Sequence, residues 1–378
     1  MDTSRYVVVG AGLTGSATAW QLARRGHEVT VLERSTPANH EGSSHGSARI
    51  FRYAYPDPFY AGLVVESRRE WDELERLSGT PLITRCGAVD FGLERDPDHL
   101  AGVLATLGVE HELLPRSAAQ DRWPQLAFET GVLWHPDAGV IDAESAVSAM
   151  LRLAEADGAR VETGWPVASV ERSGTGLRVR SGDGRAIDTG HVVVSTGGWL
   201  PDLLQDLALP GAFLDSFPPL DVMQENAFHF PYRDAPGPSG TGWPTFVHKT
   251  PDIQVYGLPG GRDAGFAGQK VAEYNGGRSI GTASAQDGRV DPANRERMVE
   301  YVRRTLPGLV PEPYAETTCL FTNTPTGDFM IDGADGITVA SPCSGHGAKF
   351  APLLGRIVAD VATCAATAPE RLRLAGAR

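Results

Sequence analysis

An α/β fold joined to a second, α+β domain is predicted by three features of this sequence. The stretch from Tyr6 to Glu33 reads as strand, glycine turn, helix and strand. A second apolar strand, His191 to Ser195, runs into Thr196-Gly197-Gly198-Trp199 and belongs beside the first. Elsewhere the chain carries short strands and separate helices between turn signals, a pattern unlike its opening.

In the opening unit, Val7, Val8 and Val9 form a buried-type strand that ends in Gly10-Ala11-Gly12-Leu13-Thr14-Gly15. A helical pattern through Ala17, Trp20, Gln21 and Ala23 follows, and a strand from Glu28 to Leu32 closes on Glu33. Gly10 permits the sharp turn, Gly12 leaves room for a pyrophosphate, and Gly15 lets helix and strand pack closely. The pyrophosphate would sit on the helix N-terminus, where free N–H groups favour an anion. Glu33 is placed to accept from a ribose hydroxyl and would repel a 2′-phosphate. The expectation is a Rossmann-type dinucleotide site, and the motif alone leaves NAD and FAD both open.

From Arg34 to Arg49 runs a polar, serine- and glycine-rich loop of the kind that lies beside functional sites. Arg49 and Arg52 stand three apart and would share one face of a helical turn. A helix is expected from Pro58 to Leu77, strands over Gly87 to Leu93 and Gly131 to Trp134, and a helix over His99 to Leu107. Asp142 reads as an N-cap for a helix to Ala156. Strand-like pieces follow at 160–163, 167–171, 177–180 and 191–195. The proline- and aromatic-rich stretch from Phe213 to Pro259, with Phe217, Phe228, Phe230, Tyr232, Trp243, Phe246 and Tyr256, reads first as a sheet walling an apolar pocket, and an ordinary β core would look similar. A helix from Pro292 to Leu306, strands at 315–322, 329–332 and 337–340, and a helix to Ala365 complete the chain.

With 378 residues the chain has room for two domains. Its net charge of −13 argues against nucleic acid or an anionic membrane as partner. No apolar span is long enough to cross a bilayer, and no secretory pattern precedes the first strand, so a cytoplasmic location is expected. Cys86, Cys319, Cys343 and Cys364 are too widely spaced for a disulfide framework or a zinc motif, and no metal is expected. Of 34 basic residues only Lys249, Lys270 and Lys349 are lysines. A lysine kept against such a bias invites a role for a compact, titratable ammonium.

GAGLTG with Glu33, SSHGSARIFR (Ser43 to Arg52), STGGW (Ser195 to Trp199), TTCLFTNTPTGDFMID (Thr317 to Asp332) and SGHGAKF (Ser344 to Phe350) occur in order along the chain. As a set they resemble the monomeric sarcosine oxidase and N-methyltryptophan oxidase family of flavin amine oxidases. The resemblance covers essentially the full length and implies FAD. It also implies a discontinuous FAD domain (1–50, 142–212 and 316–378) and a substrate domain in two pieces (51–141 and 213–315), built on a mostly antiparallel sheet. The implied activity is oxidation of a secondary, N-methylated or cyclic amine bearing a carboxylate. Hydride passes to flavin N5, an imine forms, and O2 is reduced to hydrogen peroxide. A monomer is expected.

The resemblance further implies that Cys319 carries the flavin as an 8α thioether; by itself the residue reads as a small buried hydrophobe. Arg52 and Lys349 would clamp the substrate carboxylate. Lys270 would stabilise the charge that develops as O2 is reduced. Arg49 and His45 would line the same face and assist attachment. Further FAD contacts are implied at Leu13, Thr14, Arg34, Ser43, Ser44, Val167, Thr196, Gly197, Trp199, Gly345, His346 and Gly347, with Lys349 again among them. The turn Gly345 to Gly347 starts the last long helix, whose N–H groups would face the flavin pyrimidine; His346 also reads as a hydrogen-bonded turn residue. Lys249 matches nothing in the family and reads as a surface residue.

Departures from the family pattern concern substrate. Ser44 and Ser47-Ala48 replace a histidine and an acidic-threonine pair, Tyr274 stands where a substrate-facing histidine is expected, and Gly260-Gly261-Arg262-Asp263 is extra. These changes are expected on the pocket wall, with Tyr256 and Tyr274 facing the substrate. Rival readings are a biosynthetic flavoenzyme that dehydrogenates a ring, an NAD-dependent dehydrogenase, and a flavin subunit of a larger amine dehydrogenase.

Overall fold

A computed structural model describes residues 2–234 and 242–374. Part of the proline-rich stretch, 235–241, therefore lies outside the described residues. Two large sheets organise the chain. The first has eight strands, with Asp2–Val9 at its centre between Ala186–Val194 and Val29–Leu32, both parallel to it. Val29–Leu32 continues in parallel to Arg160–Glu162, and the end of Ala186–Val194 pairs in parallel with Ile337–Ser341.

Alternation along the first strand explains why both faces are covered. Tyr6 and Val8 point into a core shared with helices Leu13–Ala23, Ala143–Ala156 and Ala351–Ala362. Val7 and Val9 point into a second core with Leu200, Leu203 and Phe213. Each such fully buried aliphatic or aromatic side chain contributes roughly 1.5–3 kcal/mol of transfer free energy. Two helices approach closely where Gly355 meets Ala17; a Cβ there would lie 2.4 Å from that of Ala17. Asp142 does cap its helix, accepting from the Ser145 N–H at 3.0 Å.

The second sheet has nine strands, antiparallel except where Thr245–Lys249 runs parallel to Ala88–Phe91. One face packs on helix Pro292–Thr305 through Phe228, Phe230, Phe246, Val255 and Val271 against Met298, Tyr301 and Val302. Most of the aromatics expected to wall a pocket thus fill this core, because strand parity turns them away from the cavity; Tyr256 alone of that group lines it. The strand Ala315–Asn323, placed with the first domain by a boundary at 316, pairs along its length with Asp221–Pro231 in the second sheet. Conversely, helix Pro58–Ser78, capped by Asp57 and ended by Gly79 in the left-handed region (φ 64°), packs on helices Ala143–Ala156 and Ala351–Ala362.

Arg49–Phe51 is a strand, not a helical turn, and forms a small sheet with Gly139–Ile141 and Ile83–Arg85. The β-branched and aromatic pair Ile50-Phe51 suits that pairing.

Candidate active site

A cavity of about 770 Å³ lies between the two sheets and runs from the glycine turn to the second sheet. At its first end the glycines meet the geometry their positions require. Gly10 has φ 97°, and a Cβ on Gly15 would lie 1.9 Å from the Gly10 carbonyl oxygen. The Ser44 hydroxyl accepts from Leu13 N–H at 3.0 Å, so a Cβ on Gly12 would meet Ser44 Oγ at 2.9 Å. Glu33 is buried, and its carboxylate accepts from the N–H groups of Ala11 (2.8 Å) and Ser35 (3.0 Å). The Arg34 guanidinium lies 4.5 Å from the Trp199 ring centroid. Gly10, Gly12, Leu13, Thr14, Glu33, Arg34, Ser43, Ser44, Val167, Thr196, Gly197 and Trp199 all line the cavity; Gly15 stands behind it as a packing residue.

The loop after Arg34 is closed by Arg49, whose guanidinium donates to the carbonyls of Ser43 (2.9 Å), His45 (2.7 Å) and Ala48 (2.9 Å). His45 does not line the cavity. It is buried, Nε2 has no partner among the described residues, and burial, then Arg49 and Lys270, push its pKa down to about 3. A neutral imidazole behind Arg49 is the result. The extra segment Gly260 to Asp263 is also behind the wall: Asp263 accepts from Ser47 N–H at 3.0 Å, and Arg262 reaches Asp142 at 3.1 Å. Two departures 216 positions apart therefore meet as partners that brace the loop.

The second sheet presents one face to the cavity, and register decides which residues share it. Val247 pairs with Tyr256, Lys249 with Gln254, Leu258 with Lys270, Lys270 with His229, and Glu225 with Cys319. Side chains on one face alternate by two along each strand. Cys319, Lys270, Tyr256 and Lys249 are thus brought to one wall from four strands. Lys249, read as a surface residue, lines the cavity because it follows Val247 by two.

Burial, then Arg49, pushes Lys270 down to about 8, with Cys319 and Asp263 opposing. Burial raises the Cys319 thiol, while Arg49 and Lys270 favour its thiolate. Beside Cys319 on the neighbouring strand, burial pushes Glu225 up to about 7.

Arg52 and Lys349 line the same cavity. Lys349 Nζ donates to the Tyr55 hydroxyl at 2.9 Å and to the His346 carbonyl at 2.7 Å. Its own carbonyl accepts from Ser67 Oγ (2.7 Å) and Trp71 Nε1 (2.8 Å), which anchors the backbone. Burial, then Arg52, lowers the Lys349 pKa well below the usual lysine value. Arg52 lies 4.5 Å over the Tyr55 ring and donates to the Ala54 carbonyl. His346 contacts the Tyr55 hydroxyl at 3.1 Å and the Gly327 carbonyl at 3.1 Å; burial, then Lys349, drives its pKa to about 3. Gly345 to Gly347 enter a single 3-10 turn, Ala348–Phe350, ahead of helix Ala351–Ala362. Tyr274 lines the cavity and donates to the Ser344 carbonyl at 2.9 Å.

Sequence reasoning passed over Tyr55 and the buried set Asp90, Arg95 and His135. Arg95 Nε donates to Asp90 at 2.6 Å, His135 Nε2 lies 3.0 Å from the other Asp90 oxygen, and Arg95 also donates to the Ala54 carbonyl at 2.8 Å. No local motif announces this set. The scarcity of lysine was the available signal for Lys249.

Residues 5–361 match a family described as FAD dependent oxidoreductase. A monomeric sarcosine oxidase of Streptomyces avermitilis is 33% identical over 99% of each chain. An N-methyl-L-tryptophan oxidase of Salmonella heidelberg is 28% identical over 94% of each. Among solved structures, NikD, an amino acid oxidase essential for nikkomycin biosynthesis, superposes with a TM-score of 0.86 at 28% identity, covering 99% of this chain and 98% of its own.

Proposed function

The chain belongs to the FAD-dependent oxidoreductases, and we propose that it oxidises an amino-acid-like amine, secondary, N-methylated or cyclic, with O2 as acceptor. The observation that carries this reading is the continuity of one cavity from Gly10 to Arg52, Lys270, Cys319 and Lys349. The lining fits FAD: a Cβ-free cradle at one end, and buried, unpartnered Thr196 Oγ1 and Trp199 Nε1 along the way, among the described residues. These residues would hold FAD, which would supply a two-electron acceptor for the C–H bond beside the amine nitrogen, the amine becoming an imine as its N–H proton is lost, and a route for those electrons to O2 as hydrogen peroxide.

The chain's own residues bind and orient. Arg52 and Lys349 hold the substrate carboxylate, with Lys349 aimed by Tyr55. Lys270 supplies a fixed positive charge for reduction of O2. Cys319 attaches the flavin covalently, with Arg49 and Lys270 favouring the thiolate that such a bond requires. We place the enzyme in the cytoplasm as a monomer. Four cysteines with no disulfide among them suit a reducing compartment, the relative from Streptomyces is a monomeric enzyme by name, and no helix among the described residues is long and apolar enough to cross a membrane.

The test is a yellow purified protein that releases peroxide with N-methyl, cyclic or primary amino acids. A colourless protein overturns the reading. The likeness to NikD, an amino acid oxidase essential for nikkomycin biosynthesis, supports a second reading, a place in a biosynthetic route, and the changed pocket wall at Tyr274 motivates dehydrogenation of a ring as its reaction. An aromatised product in place of aldehyde plus amine would establish it.

A further inference from the structure

Eight cationic side chains line the cavity; Arg34 lies at the glycine end, and Arg95 and Arg371 are paired with Asp90, Asp57 and Asp328, which leaves five: Arg49, Arg52, Lys249, Lys270 and Lys349. Four have work in the reading above. Lys249 is surplus. It sits at the end of strand Thr245–Lys249, on the face that also carries Val247 and the cross-strand residue Gln254. Among the described residues, its ammonium has neither a hydrogen bond nor an ion pair.

The carboxylates that line the cavity, and Asp90 near Lys249, are already engaged. Asp90 belongs to Arg95 and His135. Asp57 and Asp328 are held by Arg371, Asp202 by the Ser284 hydroxyl at 2.6 Å, and Glu33 by two backbone N–H groups. Burial, then Arg95 and Arg52, push Lys249 down to about 8, with only Asp90 opposing. Neighbouring like charges destabilise one another, and an incoming anion would relieve this. A single α-carboxylate shared by Arg52 and Lys349 would offset Arg52 but leave Lys249 itself without an anionic partner. One free ammonium is a single point charge without a guanidinium fork, and a singly charged carboxylate matches it.

We propose that Lys249 receives a second carboxylate of the substrate, so that this chain acts on an amino dicarboxylic acid, N-methylated or cyclic. The proposal rests on the amine oxidase reading. Arg52 and Lys349 hold the α-carboxylate, and the distal carboxylate lies along the second sheet toward Gln254 and Lys249.

The test compares kcat/KM of the holoenzyme for N-methyl-L-glutamate and its neutral isostere N-methyl-L-glutamine. Wild type should prefer the acid by roughly 10- to 100-fold, the range of one charge-assisted hydrogen bond. Lys249→Met should bring the ratio near unity, Lys249→Arg should keep most of it, and Lys249→Glu should reverse it. A wild-type ratio near one, or a ratio that Lys249→Met leaves unchanged, overturns the proposal. If no amine reduces the flavin, the oxidase reading falls, and charge recognition is decided by ligand affinity instead. Glutarate should then perturb the flavin spectrum at a dissociation constant about tenfold below that of butyrate in wild type but not in Lys249→Met. Equal affinities in wild type overturn it.

Discussion

The ammonium of Lys349 and the hydroxyl of Tyr55 are 2.9 Å apart, although 294 positions separate them in the chain. The hydroxyl accepts from Lys349 and so turns toward His346 Nδ1, which lies 3.1 Å away. Lys349 is thereby aimed rather than merely present. Tyr55→Phe removes one of its two acceptors while keeping the ring under Arg52. The expected outcome is a fall of about tenfold in kcat/KM for carboxylate substrates, the cost of one hydrogen bond to a charged group, read from peroxide production. An unchanged value would show that the His346 carbonyl suffices.

Lys270 should give reoxidation a pH dependence. Its pKa is depressed to about 8, so the ammonium is present below that pH and lost above it. The rate constant for reaction of reduced enzyme with O2 should therefore fall as pH rises through about 8. Lys270→Arg should flatten the profile, and Lys270→Met should slow reoxidation by roughly 100-fold while changing anaerobic reduction far less. Stopped-flow absorbance separates the two half-reactions, and slowing confined to reduction would count against the assignment.

Covalent attachment at Cys319 is checked by acid precipitation. Wild-type pellets should stay yellow and Cys319→Ser should release its flavin to the supernatant. Equal release from both would mean that the cofactor is held without a bond to Cys319.

Asp90 supports the site from within the fold. Burial opposes its ionisation, but Arg95 and His135 outweigh burial and hold the carboxyl well below its usual range. Asp90→Ala would leave the Arg95 charge buried and unpaired, at a cost of about 3–5 kcal/mol in urea unfolding. Because the folded-state pKa is depressed, this contribution is present at neutral pH and is lost only in strong acid.

Gly15→Ala should abolish the glycine turn. Its Cβ would fall 1.9 Å from a backbone oxygen, which no side-chain rotation relieves. The expected product is a destabilised protein that purifies with little flavin, measured by the ratio of absorbance at 450 and 280 nm. Retention of full flavin would mean that the backbone shifts there at low cost.

By itself the sequence determined whatever is local. The turn from Gly10 to Gly15 and the approach to Glu33 are set by neighbours in the chain, and so are the caps at Asp57 and Asp142. Family motifs also marked Arg52, Lys270, Cys319 and Lys349, which do line one cavity. Tertiary structure decided the rest through strand parity and register. Parity turned Phe228, Phe230 and Phe246 into the core and Lys249 into the cavity, and register set Tyr256 beside Val247 and Glu225 beside Cys319. A one-residue slip would exchange those faces. Pairings between distant strands are specified by packing over the whole sheet, and no single stretch of the chain carries that information.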